Sequence, residues 1–253
     1  MLKKTILSGL LFCLLLLLIV RFAPLAFTAT EPGNWWTSLA YFFTESGGTL
    51  GTIVGIVIAC YLYTINETGI KNKAVVFGKA IIGLSLIIGA NAAINEKITK
   101  PILKLQRPSH VYILNQLQRA QIIDSLYTLS KVERIAYFDS KIKEQPLLFK
   151  QIDPKILAHW VVEGGYSFPS GHTFNAFLLA MIFSLGIEHN SHSKKLQGLH
   201  YLPFVWALAI GISRVALGAH SWVDVSAGAF MGIAIGTLLL YIDFTRNLIT
   251  HKH

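Results

Sequence analysis

Charge is scarce in this sequence. Only 14% of its 253 residues are Asp, Glu, Lys or Arg, while 53% are hydrophobic. An ordinary soluble domain carries about 25% charged residues, so that class is excluded, and the apolar content excludes intrinsic disorder. Acidic residues are the scarcer sign, 13 against 22 basic, which leaves a net charge of +9. Cysteine is nearly absent, and Cys13 and Cys60 both lie inside apolar runs, which argues against a disulfide framework. No CxxC pair and no Cys/His cluster has the spacing of zinc ligands, so no metal and no cofactor is expected. The 8 prolines and 20 glycines follow no repeat. Nucleic acid is not expected as a partner either. Many basic residues flank apolar runs, a pattern that fits membrane topology and anionic headgroups.

What the chain does have is long apolar runs. A bilayer core of about 30 Å needs about 20 mostly apolar residues per helix. Six runs fit: Thr5–Leu25, Leu50–Ile65, Ala74–Ile94, Thr173–Ile187, Tyr201–Gly218 and Val223–Phe244. The expected fold class is therefore an all-α integral membrane protein with six transmembrane helices. The first run also has the basic start of a signal peptide, but it is long for one, and Ala26 and Ala29 are spaced three apart rather than two. Lys3 and Lys4, Lys71 and Lys73, Lys194 and Lys195, and Arg246 and Lys252 all fall on one side of the six-helix arrangement. The positive-inside rule places that side, with both termini, in the cytoplasm. The long connection between helices three and four, residues 95–169, then faces outward. From Val111 to Phe138 it reads as amphipathic helix, with Leu114, Leu117, Ile122, Leu126, Leu129 and Val132 at roughly helical spacing. That pattern suits a helix on the membrane surface or over a site, and equally a small helical pack with its own core. Residues 1–253 are expected to form a single domain, with 95–169 as its outer insertion.

Three short stretches adjoin the expected outer ends of helices. In Lys100-Pro-Ile-Leu-Lys-Leu-Gln-Arg107-Pro108, cations converge at a membrane interface. Arg and Lys suit phosphate oxygens, and the alternative is cations snorkelling at a helix end. In Pro169-Ser170-Gly171-His172-Thr173, a cap residue and a glycine precede a helix N-terminus, a place suited to an anion. The alternative is a plain cap with an incidental histidine. In Ser213-Arg214, followed by His220 and Asp224, an arginine stands near the end of an apolar helix. It is costly there unless paired or functional. If helix six starts near His220, Asp224 four residues on shares its face and accepts one ring N–H, leaving the other nitrogen free to attack. The alternative is a structural Asp–His pair in a polar turn.

Taken together, K-x6-R-P, P-S-G-H and S-R-x5-H-x3-D resemble the type 2 phosphatidic acid phosphatase superfamily, in identity, order and placement. Six helices with a large outer segment resemble its bacterial membrane branch, and the similarity extends through His159 to Thr173, with Glu163 and Tyr166-Ser167-Phe168. The resemblance implies a metal-independent lipid phosphatase working through phosphohistidine. It makes His220, His172 and Asp224 catalytic, and Lys100, Arg107, Ser170, Gly171 and Arg214 the binders of substrate phosphate. It implies a membrane lipid phosphate as substrate, phosphatidylglycerol phosphate or undecaprenyl diphosphate, met at the periplasmic face of the inner membrane. Lipid phosphotransferase and phosphate-binding transporter are the alternatives. Vanadium-dependent haloperoxidases share the motif but are soluble. Asn66-Glu67-Thr68 matches a glycosylation pattern on the expected cytoplasmic side. His189, His192 and His200 read as a polar cytoplasmic loop, and His251 and His253 as incidental. The sequence does not define an oligomeric state.

Overall fold

The computed structural model describes residues 1–65, 67–190 and 198–241, and every described element is helical. In chain order these are α1 (Leu2–Phe22), α2 (Trp35–Ser46), α3 (Thr49–Thr64), α4 (Ile70–Leu103), α5 (Pro108–Gln116), α6 (Ile123–Thr128), α7 (Lys131–Glu144), α8 (Pro154–Val162), α9 (Gly171–Asn190), α10 (Leu202–Ala216) and α11 (Trp222–Tyr241). Five are long and apolar enough to cross a membrane: α1, α4, α9, α10 with its preceding 3₁₀ turn, and α11. The helices α2 and α3 pass the same test only as a pair bent by 57°. The chain has the architecture of an all-helical integral membrane protein.

The helix α9 is the hub, packing on α11 and α10 most extensively and on α3 and α1 besides. Its contact with α11 is close because glycines recur every fourth residue along one face of α11. A Cβ at Gly228 would stand 2.5 Å from the Ser170 carbonyl oxygen, and one at Gly232 2.5 Å from that of Phe174. Small residues at this spacing let two helix backbones approach where lipid offers no hydrophobic drive. The outward faces of α1 and α3 carry exposed Leu7, Leu11, Leu14, Ile53 and Val57, as a lipid-facing surface requires. The helix α1 belongs to the bundle, since Leu16 is fully buried with Phe177, Phe204 and Ile210.

Several boundaries depart from the sequence expectation. Helix α4 runs on past Ile94 through a π-helical turn, Asn95–Thr99, to Leu103. The polar residues that end the apolar run therefore do not end the helix. The expected single helix from Val111 to Phe138 is three. Gln118, at φ 55°, breaks the first from the second, and Ser130 starts the third with a capping box, its side chain accepting from the Glu133 N–H. These helices pack on one another and on the outer ends of α2 and α10. Ile113, Leu114, Leu117, Leu126 and Phe138 enclose a core with Ile156 and Trp160, while Val132 is 77% exposed. That core is continuous with the bundle: Ala29, Ala40, Ala216 and Leu217 belong to it, and Trp160 Nε1 donates to the Leu217 carbonyl at 2.7 Å. His200 is no loop residue: it is buried, with Nε2 3.0 Å from Ser8 Oγ and Nδ1 3.5 Å from Glu188. Asn66, His192, Lys194, Lys195, Arg246, His251, Lys252, His253 and the stretch 242–244 of the expected sixth helix lie outside the described residues.

Candidate active site

The third motif turns back on itself. Helix α10 ends at Ala216, and Gly218 takes φ 67°, a conformation that costs glycine little. The N–H groups of Ala219 and His220 both donate to the Arg214 carbonyl, at 3.0 and 3.1 Å. His220 therefore precedes α11, with Ser221 between them as cap. The Ser221 N–H donates to Asp224 Oδ2 at 2.7 Å, and the Asp224 N–H to Ser221 Oγ at 3.3 Å. Although His220 stands just before the helix, the turn brings its ring over Asp224, with Nδ1 3.4 Å from Oδ2.

The other nitrogen, Nε2, lies 3.2 Å from Arg107 Nη1. A guanidinium only donates, so Nε2 is the acceptor and Nδ1 carries the proton toward Asp224. Burial, followed by the positive charge of Arg107, pushes the His220 pKa down to about 3. The ring is neutral with a lone pair on Nε2 at physiological pH.

Arg107 is 1% exposed and Arg214 fully buried. Arg107 donates through Nε to the Gly164 and Gly165 carbonyls, at 3.1 and 3.3 Å, and through Nη1 to Ala219 O at 2.8 Å. Glu163 joins the two arginines: one oxygen is 3.2 Å from Arg107 Nη1 and the other accepts from Arg214 Nη2. His159 Nε2 sits 2.9 Å from Arg214 Nη1 and 3.0 Å from Glu163. Burial alone would raise the Glu163 carboxyl, but Arg214 and Arg107 outweigh it and hold it well below the usual carboxylate range. Two guanidiniums facing one carboxylate leave an uncompensated positive charge.

The second motif approaches from α9. The Ser170 N–H donates to the Asp224 carbonyl at 3.0 Å, and Ser170 Oγ caps α9 by accepting from Thr173 N and Oγ1, at 3.4 and 3.0 Å. A Cβ at Gly171 would meet open space. His172 Nε2 lies 3.5 Å from the place a Cβ on Gly48 would take, at the α2–α3 bend. Lys100 is buried, but its ammonium pairs with Glu96 on its own helix rather than with the arginine cluster. Arg107, Arg214, His220 and Asp224 are thus linked, in part through Glu163; Ser170 joins them at Asp224, and Lys100 lies apart on Glu96.

Sequence reasoning gave no role to three of the partners. Glu163 and His159 occur in a stretch read only as resembling a family. His110 was passed over altogether. Its Nε2 faces the Trp160 carbonyl at 3.0 Å and its Nδ1 the Tyr127 hydroxyl at 3.2 Å, and that hydroxyl lies 3.1 Å from the Arg107 N–H. A carbonyl only accepts, so Nε2 donates, Nδ1 accepts from Tyr127, and Tyr127 accepts from Arg107. Burial and Arg107 push His110 down to about 3, so this relay is neutral and holds the Arg107 backbone.

An all-helical membrane protein with a buried, electropositive histidine–aspartate site is a candidate phosphoryl-handling enzyme. The PAP2 superfamily model matches residues 79–248, and the chain belongs to that superfamily. It is 26% identical over 198 residues to phosphatidylglycerophosphatase B of Escherichia coli (strain K12), covering 75% of this chain and 70% of that one. It is 28% identical over 205 residues to phosphatidylglycerophosphatase B of Haemophilus influenzae, covering 79% and 78%. A probable lipid phosphate phosphatase 4 of Arabidopsis thaliana is 42% identical over 91 residues, covering 33% of this chain and 29% of that one.

Proposed function

We propose that the protein removes the terminal phosphate of phosphatidylglycerol phosphate or undecaprenyl diphosphate at the periplasmic face of the inner membrane, without a metal, through a phosphohistidine on His220. The bent α2–α3 pair counts as one span, giving six, with both termini cytoplasmic. Residues 1–253 form one domain, and the α5–α8 pack belongs to its periplasmic insertion at 95–169. The observation that carries this reading is the His220 ring, held between the Asp224 carboxylate and Arg107 with its Nε2 lone pair directed at the arginine cluster.

The terminal phosphoryl group takes the guanidinium N–H groups of Arg107 and Arg214 from Glu163, with Lys100, Ser170 Oγ and the Gly171 N–H completing its shell. Nε2 of His220 attacks phosphorus, the P–O bond to the leaving oxygen breaks, and His172, entering as the imidazolium, protonates that oxygen and becomes neutral. The Nδ1 proton stays on the ring, and Asp224 stabilises the positive charge that forms. His172 then takes a proton from water. The resulting hydroxide attacks phosphorus and the P–N bond breaks, releasing phosphate and restoring neutral His220. Phosphoryl transfer relies mainly on positioning and charge stabilisation, and three cations supply the second.

The test is phosphate release by protein purified in detergent, from each of the two lipids, with EDTA present and His220→Ala alongside. Release that survives EDTA and is lost in the variant supports the reading. Release abolished by EDTA overturns the metal-free mechanism. Loss of lipid phosphate without free phosphate appearing would mean transfer to another acceptor.

A further inference from the structure

His159 belongs to none of the three motifs, yet its ring touches both an arginine of the cluster and the carboxylate that holds it. Nε2 lies 2.9 Å from Arg214 Nη1 and 3.0 Å from Glu163 Oε1. These neighbours make opposite demands. A guanidinium only donates, so toward Arg214 the nitrogen must be bare. A carboxylate only accepts, so toward Glu163 it must carry a hydrogen. One nitrogen cannot do both at once. While Arg214 Nη2 and Arg107 Nη1 satisfy Glu163, Nε2 accepts from Arg214 and the ring hydrogen sits on Nδ1. That atom faces Glu45 Oε1 of α2, at 3.4 Å. Tyr41 of α2 packs edge-on against the same ring, with centroids 5.9 Å apart.

Phosphate reverses the demand. In the proposed reaction the phosphoryl group takes the guanidinium N–H groups from Glu163. The Glu163 side chain is only 11% exposed, and His159 is its one other described partner. A buried carboxylate left unpaired is costly. With a proton on Nε2, His159 donates to Glu163 while Nδ1–H still points at Glu45, and the imidazolium lies between two carboxylates. The charges favour this. Arg107, Arg214 and Glu163 together carry one positive charge, a dianion turns that into one negative charge, and the proton on His159 cancels it. The Glu45 side chain is 54% exposed against 10% for His159, so water supplies the proton from the Glu45 side.

We propose that His159 is a positioning residue that takes up a proton when phosphate binds, releasing Arg214 to the anion and receiving Glu163 in exchange. This rests on the lipid phosphatase reading, in which phosphate displaces Glu163 from the arginines. Linkage fixes the sign: an anion whose binding takes up a proton binds more weakly as pH rises.

The probe is sulfate, a dianion throughout the neutral range that the enzyme cannot hydrolyse, so neither its own titration nor turnover contributes. Its binding to the wild-type protein in detergent is measured by calorimetry in two buffers of different protonation heat, and the difference counts protons. Wild type is expected to take up a proton, with affinity falling by up to about tenfold per pH unit. His159→Gln keeps an amide N–H for Glu163 and an oxygen for Arg214 but cannot become charged. It is expected to bind sulfate with almost no proton uptake and a flat pH dependence. Glu45→Gln, at the exposed end, removes one of the two carboxylates. It is expected to reduce the uptake and serves if His159→Gln does not fold. The other groups of the site that could take such a proton are Glu163, His172 and His220. Undiminished uptake in His159→Gln, or in Glu45→Gln where that variant stands in, would place the proton on one of them and overturn the role of His159. Binding to wild type without uptake overturns it as well and leaves the phosphatase reading standing. Absence of sulfate binding at any pH would count against the arginine cluster as a phosphate site, and both would then fail together.

Discussion

Gly228 links helix packing to the candidate site. A methyl group there would stand 2.5 Å from the Ser170 carbonyl oxygen and 3.3 Å from the Phe174 nitrogen. Carbon and carbonyl oxygen ordinarily meet no closer than about 3.3 Å, so Gly228→Ala must move α11 and the start of α9 apart by about 0.8 Å. Neither side is the flexible end of a side chain, so backbone has to move. The Ser170 N–H donates to the Asp224 carbonyl across this same gap, and the shift separates the Ser170–His172 stretch from Asp224 and His220. Overpacking of this kind costs about 1–3 kcal/mol of stability. A misplacement near 1 Å at reacting groups costs about 100-fold in rate. The control is Gly232→Ala, whose methyl meets Phe174 O at 2.5 Å and Leu178 N at 3.1 Å, one turn further from the motif. Both variants are expected to unfold at lower temperature in detergent. Measured per folded molecule, Gly228→Ala is expected to release phosphate 10- to 100-fold more slowly, and Gly232→Ala to lose much less. Equal turnover in the two variants would refute the idea that this contact sets the site's geometry.

Asp224→Asn is expected to lower turnover by two orders of magnitude or more while inhibition by inorganic phosphate changes little, because Asp224 touches the His220 ring and not the arginines. Unchanged turnover removes its proposed role. Glu163→Gln is expected to strengthen competitive inhibition by phosphate several-fold, since the carboxylate competes for Arg107 and Arg214; weaker inhibition would mean that Glu163 mainly orients them. Stability should fall in acid. His220 and His110 are held down to about 3, against about 6.5 in an unfolded chain. Between those values only the unfolded chain takes the protons, so stability is fully present above about pH 6.5 and declines toward pH 3. A thermal midpoint equal at pH 7.5 and pH 4.5 would contradict this.

The spans and motifs were legible because each is written contiguously. About 20 apolar residues announce a span, and the short motifs hold Arg107, Arg214, His220 and Asp224. What was hidden depends on contacts across the chain. The helix α2 was missed because its 12 residues are too short to read as a span, and they gain meaning only through the bend at Gly47–Gly48, where a Cβ on Gly47 would strike Ile210 at 2.9 Å. The end of α4 was misread because Asn95, Glu96 and Lys97 resemble a loop, although the backbone stays helical and Glu96 pairs with Lys100. In the outer segment the hydrophobic spacing runs on through Gln118 and Ser130, where the backbone breaks. A period shows which residues face a core, but not where the chain turns.

His110 and Glu163 were illegible for a different reason: their meaning comes from partners more than 15 residues away. Glu163 keeps two guanidiniums, otherwise mutually repelling, fixed beside His220. His110 fixes the Arg107 backbone through Tyr127 without adding charge, because burial keeps it neutral. A charged residue in that relay would alter the balance at the site, whereas a neutral one positions Arg107 and leaves its charge for an anion. The net charge beside His220 is then set by Arg107, Arg214 and Glu163 together, one positive charge in excess. A dianionic phosphoryl group neutralises that excess better than the single Glu163 carboxylate, which is the physical reason the proposed substrate displaces it.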